Sequence, residues 1–153
     1  MADRPQYFLL NGPNLNLLGT REPDIYGTQD LAALEAACAV EAKRLGVALT
    51  CGQTNAEHEL VGWVQAARAS SGIILNPAAF GYSSYALVDA LLACACPIVE
   101  VHLSHIQARA EPWRARTLTG AVVTATISGL GAEGYLAALR YLAARPTAGT
   151  APA

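Results

Sequence analysis

Charged residues are scarce in this sequence, and neither sign dominates. Only 14% of the 153 residues are Asp, Glu, Lys or Arg, and the formal net charge is −2. A nucleic-acid-binding domain usually has a pI above about 9, whereas the pI of this sequence is near 5.9. We therefore expect no nucleic-acid partner. Apolar residues make up 53% of the chain, which predicts a compact globular protein whose elements bury more than one face.

Long apolar runs and paired cysteine motifs are also missing. No apolar run approaches the ~20 residues that a membrane-spanning helix needs, and the first 14 residues hold too short an apolar run for a signal peptide. We therefore expect a cytoplasmic protein with no membrane partner. The four cysteines, Cys38, Cys51, Cys94 and Cys96, show no Cys-x-x-Cys spacing, and no histidines stand at ligand spacing. They are predicted to be small buried residues in a reducing compartment, with no metal site and no disulfide framework.

What the sequence does contain is a regular alternation of strand-like and helix-like segments. The patterns predict strands at 7–10, 47–51, 72–76, 97–102 and 121–127, and helices at 30–45 (with Thr28 as a candidate cap), 57–69, 84–93 and 133–144. This alternation is typical of an α/β fold with helices on both faces of a parallel sheet. We predict a flavodoxin-like three-layer sandwich whose five-stranded parallel sheet has the order 2-1-3-4-5. A single catalytic domain is expected at 1–144, and the Pro-, Ala-, Thr- and Gly-rich tail at 145–153 is predicted to be disordered.

The segment 11–27, between the first strand and the first helix, carries unusual chemistry for a connecting loop. Loops of this length are uncommon in compact domains unless they bind a ligand or close over a site. Asn14, Arg21 and Tyr26 lie along it, between glycines and prolines. Because a nearby cation favours the ionised form of an acid, an arginine near a tyrosine can help to make a phenolate base. The same residues also fit ordinary turn chemistry, with Asn14 and Asp24 in turns and Tyr26 packed on the surface.

The topology predicts that three chemically rich segments converge. Ligands of flavodoxin-like folds bind outside the carboxyl ends of the strands, at the switch between strands 1 and 3. The carboxyl ends of strands 1, 3 and 4 carry the segments 11–26, 76–82 and 100–104. In the last of these, Glu100 and His102 are expected on one face of the strand. A small-molecule site is therefore expected at this edge, although both residues also fit structural roles in a core strand.

Two nucleotide-binding alternatives fit less well. Residues 129–134 spell Gly-x-Gly-x-x-Gly between a strand and a helix, but a dinucleotide site also needs a following strand with an acidic residue about twenty positions on. No such strand follows in the sequence, so these glycines are interpreted as a tight turn. A flavin phosphate would need a loop rich in Ser, Thr and Gly after strand 1, where this chain has Pro13, Arg21 and Glu22. We therefore expect neither NAD nor FMN.

Five segments carry a recognisable pattern: 11–27 (NGPNLNLLGTREPDIYG), 53–60 (QTNAEHEL), 75–77 (LNP), 100–104 (EVHLS) and 129–135 (GLGAEGY). In this order they resemble type II 3-dehydroquinate dehydratase (type II dehydroquinase), with one apparent single-residue insertion. The resemblance implies a flavodoxin-like subunit that assembles as a dodecamer of four trimers. It also implies dehydration of 3-dehydroquinate to 3-dehydroshikimate without metal or organic cofactor, in shikimate biosynthesis or quinate breakdown.

The resemblance divides the proton transfers between two groups. Tyr26 matches the general base that takes a proton from the carbon next to the ketone, and Arg21 keeps it ionised. Asn14 matches the residue that holds a water against the developing enolate. His102 matches the general acid that protonates the departing hydroxyl, while Glu100 orients the imidazole and raises its basicity.

Other matched positions are implied to bind the substrate. Asn76 and the backbone N–H groups of Leu103 and Ser104 match the site for the substrate carboxylate. Arg114 matches the arginine that binds substrate hydroxyls if the insertion lies before residue 113, and otherwise Trp113 occupies that position. The polar residues at 53–59 are interpreted as structural.

Three positions depart from the family pattern. Tyr82 stands where the family has a histidine that touches a substrate hydroxyl, and a phenol can still donate and accept a hydrogen bond. Asp89 matches an acid that reaches a neighbouring subunit's site, but Val88 replaces the arginine before it, and His105 replaces an asparagine. The chain is therefore a dehydroquinate dehydratase with a changed hydroxyl pocket, an enzyme acting on a related cyclic hydroxyketone acid, or a non-catalytic relative.

Overall fold

The computed structural model describes residues 3–20, 22–26 and 28–146. Arg21, Gly27 and 147–153 lie outside the described residues, as do the side chains of Pro23 and Tyr26. The structure therefore does not describe the side chain of Tyr26, the predicted base, or that of Arg21, the cation predicted to keep it ionised. Most of the tail predicted at 145–153 lies outside as well.

Within the described residues, five parallel strands form one sheet. They are β1 (Gln6–Asn11), β2 (Ala48–Gln53), β3 (Gly72–Asn76), β4 (Ile98–His102) and β5 (Ala125–Ser128). The order β2-β1-β3-β4-β5 confirms the predicted topology. Asn11 pairs with Asn76, and Leu75 pairs with Glu100. This register places the carboxyl ends of β1, β3 and β4 at one edge of the sheet, where the polar segments were expected to meet.

Helices cover both faces of the sheet. They are α1 (Pro23–Tyr26), α2 (Leu31–Leu45), α3 (Glu57–Ala67), α4 (Phe80–Ser83), α5 (Tyr85–Leu92) and α6 (Glu133–Ala144). Because successive strand residues point to opposite faces, Leu9 and Ile74 pack under α2 and α6, and Leu10 and Ile73 pack under α3 and α5. In the described part of the chain, no helix is both long and apolar enough to cross a bilayer.

The last strand begins later than its apolar pattern predicts. Strand β5 starts at Ala125, whereas the pattern predicted a strand over 121–127. Residues Thr119–Ala121 form a 3-10 turn in its place, in which the Gly120 N–H donates to Thr117 Oγ1 at 2.9 Å. Threonine hydroxyls that bind nearby backbone groups offer the chain an alternative to a strand ladder, which explains the delay.

Two helix starts also differ from the predictions, because a neighbouring side chain makes the cap. Asp30, instead of Thr28, caps α2 by accepting the Ala33 N–H at 2.8 Å. Ser84 caps α5 by accepting the Leu87 N–H at 2.9 Å, so the helix begins one residue later than predicted, and the loop before it contains α4. The other boundaries agree with the predictions within two residues.

Candidate active site

A cleft of about 90 Å³ opens at the carboxyl edge of the sheet, where β1, β3 and β4 end. The predicted site residues in its lining are Asn14, Asn76, Tyr82, His102, Leu103, Ser104 and Arg114. They come from the loops that follow β1, β3 and β4 and from the ends of these strands. The fold therefore brings these chemically rich segments together.

His102 lines this cleft and is paired with the buried Glu100 behind it. Glu100 and His102 share a face of β4 because side chains two positions apart on a strand point the same way. His102 Nε2 lies 3.0 Å from Glu100 Oε2, and the two residues are 5% and 0% exposed. With Nε2–H donated to the carboxylate, Nδ1 is the ring nitrogen left for a ligand in the cleft. The pair can therefore hold a proton at Nδ1 while Glu100 stabilises the positive ring.

Three donors converge on the Glu100 carboxylate. Besides His102, the hydroxyl of Thr117 donates to Oε2 at 2.6 Å, and the hydroxyl of Thr119 donates to Oε1. Burial by itself would raise the pKa of Glu100, but the hydrogen bonds from His102, Thr117 and Thr119 outweigh it and hold that pKa below its ordinary value. Thr117 and the turn that delays β5 thus add to the effect of His102 in favouring the ionised carboxylate. Neither threonine was predicted. No local sequence pattern identifies a hydroxyl group whose hydrogen-bond partner lies about twenty residues earlier in the chain.

Asn76, the last residue of β3, is fixed by both ends of its amide. Its Oδ1 accepts the Ala78 N–H at 3.1 Å, and its Nδ2 donates to the Tyr135 hydroxyl at 2.8 Å. Ala78 has a left-handed φ of 49°, an uncommon conformation that the Asn76 side chain supports.

The loops after β1 and β3 approach each other closely at Gly12. A Cβ at Gly12 would lie 2.3 Å from Pro77 O, so only glycine lets the loop after β1 approach the loop after β3.

The loop after β1 is braced by the segment that follows β2. Asn14 has a left-handed φ of 67°, and its N–H donates to Asn55 Oδ1 at 2.9 Å. Gln53 Nε2 donates to Gly12 O and to Asn55 Oδ1, each at 3.1 Å. These bonds position Asn14 at the cleft, in keeping with the structural role predicted for 53–59.

The side of the cleft opposite His102 is made of aromatic and cationic groups. Tyr82 Oη donates to the backbone oxygen of Arg114 at 2.9 Å. The rings of Tyr82 and Trp113 meet edge to face, with centroids 5.0 Å apart, and the Arg114 guanidinium carbon lies 4.3 Å from the Trp113 centroid. Arg114 Nε is 3.4 Å from Glu111 Oε2, an ion pair without hydrogen-bond geometry. Both alternatives for the hydroxyl-binding position, Trp113 and Arg114, line the cleft.

Arg109 is a cleft residue that the sequence patterns did not reveal. Its side chain is only 9% exposed, with Nη2 3.5 Å from Glu22 Oε2 and Nη1 3.5 Å from Ser104 Oγ. The guanidinium therefore links the loop after β4 to the segment that leads to Tyr26. The one available signal was the position of Arg109 seven residues after His102. That signal is weak because arginines in loops are commonly solvated.

Comparison with known proteins assigns the chain to a family. Residues 5–143 match the family described as Dehydroquinase class II. The chain belongs to this family. Among class II dehydroquinase relatives, the 3-dehydroquinate dehydratase of Bartonella bacilliformis is 51% identical over 136 residues, covering 88% of this chain and 85% of that protein. The 3-dehydroquinate dehydratase of a Chelativorans species is 51% identical over 140 residues, which cover 90% of this chain and 96% of that protein.

A solved structure agrees with the sequence match. The crystal structure of type II dehydroquinase from Propionibacterium acnes has a TM-score of 0.88 with this chain at 39% identity, and the match covers 95% of this chain and 100% of that one. The class II dehydroquinase resemblance on which the residue assignments depend is therefore confirmed at the level of family and fold.

Four residues implied by the dehydroquinase resemblance are absent from the described lining of this cleft. Glu100 lies behind His102. Asp89 is exposed on α5 and is absent from the cleft lining. Arg21 and the side chain of Tyr26 lie outside the described residues. Within the described ranges, no group of three or more His, Cys, Asp or Glu side chains is arranged to hold a metal ion. The described cleft thus offers the His102 imidazole with its buried carboxylate partner, the fixed amide of Asn76 and arginine side chains.

Proposed function

We propose that this chain is a type II 3-dehydroquinate dehydratase, a hydro-lyase that converts 3-dehydroquinate to 3-dehydroshikimate. The observation that carries the proposal is the buried His102–Glu100 pair at the cleft of a chain whose residues 5–143 match the dehydroquinase family. The curated relatives bear the name 3-dehydroquinate dehydratase. The reaction moves protons and releases water, so protein side chains suffice as acid and base and no cofactor takes part.

Proton removal is assigned to Tyr26. Its phenolate takes the proton from the carbon next to the ketone, the C–H electron pair forms an enolate, and the positive charge of Arg21 keeps the phenol ionised. Glu22 supports this assignment, because its carboxylate is 3.5 Å from the cleft residue Arg109 and so joins the segment carrying the base to the cleft. Asn14 holds a water against the enolate oxygen, where stabilisation of developing charge contributes strongly to catalysis.

Loss of the hydroxyl is assigned to His102. The enolate electron pair forms the new C=C bond and restores the ketone as the C–O bond breaks. The departing hydroxyl oxygen takes the proton from Nδ1 and leaves as water. Glu100 stabilises the imidazolium before transfer, and its three hydrogen bonds support this role because they favour the carboxylate form.

Substrate recognition is assigned to the remaining predicted residues of the cleft. The Asn76 amide and the N–H groups of Leu103 and Ser104 bind the substrate carboxylate. Tyr82 and Arg114 bind its hydroxyls. Arg114 Nε supports this assignment, because it is buried beside the cleft and lacks a hydrogen-bond acceptor among the described residues. A polar group in that state is costly unless a ligand supplies the partner.

The proposed enzyme is a cytoplasmic homo-oligomer, a dodecamer of four trimers built from one catalytic domain at 1–144. Helix α5 supports the assembly, because Tyr85 and Leu92 are 73% and 63% exposed on the same helix as Asp89. Clustered apolar side chains on a surface are typical of interaction sites. A neighbour that covered α5 would receive Asp89 at its own site. Light scattering of the purified protein tests the assembly, and a monomer would contradict it.

The function is tested by incubating the purified protein with 3-dehydroquinate and following the ultraviolet absorbance of the conjugated enone. We expect turnover by the parent and its loss in Tyr26→Phe, which keeps the ring but has no ionisable hydroxyl. Tyr141→Phe, at a half-exposed ring on α6, is the matched control and retains turnover. A folded parent without turnover contradicts the proposal and favours either an enzyme for a related cyclic hydroxyketone acid or a non-catalytic relative.

A second candidate is the same chemistry on a related cyclic hydroxyketone acid. It is favoured by the Tyr82 hydroxyl, whose single proton is donated to the Arg114 backbone oxygen. Tyr82→His separates the candidates. A large gain in turnover of 3-dehydroquinate would show that the parent pocket suits another substrate, whereas unchanged or lower turnover supports 3-dehydroquinate itself.

A further inference from the structure

A buried chain of hydrogen bonds runs behind the cleft, from the end of β1 to the end of β3. The Tyr135 hydroxyl lies 2.7 Å from Asn11 Oδ1 and 2.8 Å from Asn76 Nδ2. Tyr135 is on α6, and both it and Asn11 are 0% exposed, while Asn76 is 4% exposed and lines the cleft. The proposed mechanism gives no task to Tyr135 or Asn11.

One unambiguous donor sets the direction of every bond in this chain. The Ala78 backbone N–H can only donate, so the Asn76 atom that it contacts at 3.1 Å is the amide oxygen. Asn76 Nδ2 therefore faces Tyr135 and donates to its oxygen. The single hydroxyl proton of Tyr135 then goes to Asn11 Oδ1. This direction leaves Asn11 Nδ2 buried without a partner among the described residues.

The state of the phenol suits this arrangement. Burial raises the pKa of Tyr135, so its hydroxyl stays protonated at neutral pH and continues to donate to Asn11. With one N–H of Asn76 committed to Tyr135, the second N–H is left in a fixed direction. Orphaned buried polar groups such as Asn11 Nδ2 are rare, and they are retained where a network around them has a use.

We propose that Tyr135 is a positioning residue that fixes the Asn76 amide for the substrate carboxylate, an inference that rests on the proposed function. Tyr135 touches no substrate. It prevents the amide from rotating and from presenting its oxygen to a carboxylate, which would repel it. A binding group that is fixed before the ligand arrives costs less to order on binding, so the effect appears in substrate affinity rather than in the chemical step.

The test compares Tyr135→Phe with Tyr7→Phe. Tyr7 is a matched control because its ring is also buried, at 3% exposed, and its hydroxyl donates to a core acceptor away from the cleft, Leu142 O at 3.2 Å. Both variants are expected to melt at lower temperature than the parent. Tyr135→Phe raises KM about tenfold. The variant leaves the buried Asn76 Nδ2–H without its acceptor and removes the contact that holds the amide. The kcat of Tyr135→Phe stays within about threefold of the parent value, and its pH profile keeps the same limbs. Tyr7→Phe leaves KM unchanged.

Binding of 3-dehydroshikimate, measured by calorimetry on the same proteins, separates the inference from the proposed function. If the parent is active and Tyr135→Phe shows the KM and product affinity of Tyr7→Phe, the inference is overturned and the function stands. If the parent neither turns over nor binds, both are overturned. If the parent binds without turnover, a product affinity lower for Tyr135→Phe than for Tyr7→Phe supports the inference, and equal affinities overturn it.

If Tyr135→Phe does not fold, a second variant tests whether Tyr135 positions the Asn76 amide. Asn11→Ser shortens the side chain by one bond and so withdraws the acceptor from the Tyr135 hydroxyl, while the Asn76–Tyr135 contact stays in place. The phenol can then rotate and holds the amide less firmly. We expect a KM increase of about threefold, smaller than for the loss of the hydroxyl itself. An unchanged KM in a folded Asn11→Ser protein overturns the inference.

Discussion

The two sides of the cleft are built by different means. On the β4 side, Glu100 and His102 are 0% and 5% exposed, and hydrogen bonds between side chains hold them. On the opposite side, Trp113 is 55% exposed, and Tyr82 and Arg114 contact it through ring and cation–π interactions. A buried charge is tolerated only with its partners in place, whereas exposed ring contacts contribute about 0.5–1.5 kcal/mol each.

This difference indicates where the molecule tolerates change. The β4 side has little freedom, because removing any partner leaves a buried polar group unsatisfied. The Tyr82 side can exchange one ring or cation for another at modest cost. The position where the family resemblance expects a histidine, now Tyr82, and the insertion near Trp113 both fall on this second side. The Glu100–His102 pair on the first side keeps the pattern on which the family resemblance depends.

The largest effect is expected from Glu100→Gln, which removes the charge and nearly preserves the shape. The imidazolium of His102 then loses its stabilising carboxylate. We expect kcat to fall about a hundredfold, at the low end of what a positioned acid contributes. KM changes little, because Glu100 lies behind His102 instead of in the cleft lining. Steady-state kinetics of the enone absorbance measures both constants.

The matched control is Glu41→Gln, which also neutralises a buried carboxylate. Glu41 pairs with Arg44 and Arg140 at 2.7 Å each, between α2 and α6 and away from the cleft. This variant is expected to melt at a lower temperature and to keep the kcat of the parent. If Glu100→Gln keeps its kcat within about threefold of the parent, the carboxylate is not needed by the acid.

A smaller effect, in KM, is expected from Trp113→Ala on the exposed side. The variant removes the ring that Tyr82 meets at 5.0 Å and that the Arg114 guanidinium overlies at 4.3 Å. Losing both contacts frees Arg114, and we expect KM to rise about tenfold with little change in kcat. Tyr141→Ala is the control, because Tyr141 is a half-exposed ring with its own arginine, Arg145, at 5.5 Å. Equal KM values for the two variants would contradict a role for Trp113 in recognition.

The sequence predicted the elements whose signal is local. The apolar run of β3 and the periodicity of α6 were predicted with the boundaries that the structure shows. The strand order followed from the alternation of elements, and the convergence of Asn14, Asn76 and His102 followed from the strand order. Each of these steps depends on periodicity or topology, which a single sequence carries.

Residues whose role depends on a distant partner were missed. Thr117 and Thr119 lie in the segment 115–121 (ARTLTGA), and their partner Glu100 becomes a neighbour only in the folded sheet. Arg109 acquires its role from Glu22, on another loop. No role was predicted for the Tyr135 hydroxyl, since its contacts with Asn11 and Asn76 span the whole fold. Such tertiary pairings leave no periodic mark on the sequence.

The smallest effect is expected from Thr117→Val, which alters the β4 side without touching its charged pair. The Thr117 hydroxyl donates to Glu100 Oε2 at 2.6 Å and favours the ionised carboxylate, so its loss moves the pKa of Glu100 upward. At acidic pH, a larger fraction of Glu100 is then protonated and cannot support the imidazolium. The acid limb of the kcat/KM profile therefore moves to higher pH, while kcat near neutrality stays within about threefold of the parent.

Thr117→Ser separates the hydroxyl from the rest of the side chain. Serine can still donate to Glu100 and still accept the Gly120 N–H, which lies 2.9 Å from Oγ1 in the parent, whereas valine can do neither. We expect the serine variant to keep the acid limb of the parent. If the serine variant shifts the limb as far as the valine variant does, loss of the hydroxyl does not explain the shift, and the role given to this hydrogen bond is overturned. If only valine shifts the limb, the turn before β5 controls the charge on Glu100, and the rigidity of the β4 side extends to residues that lie outside the cleft.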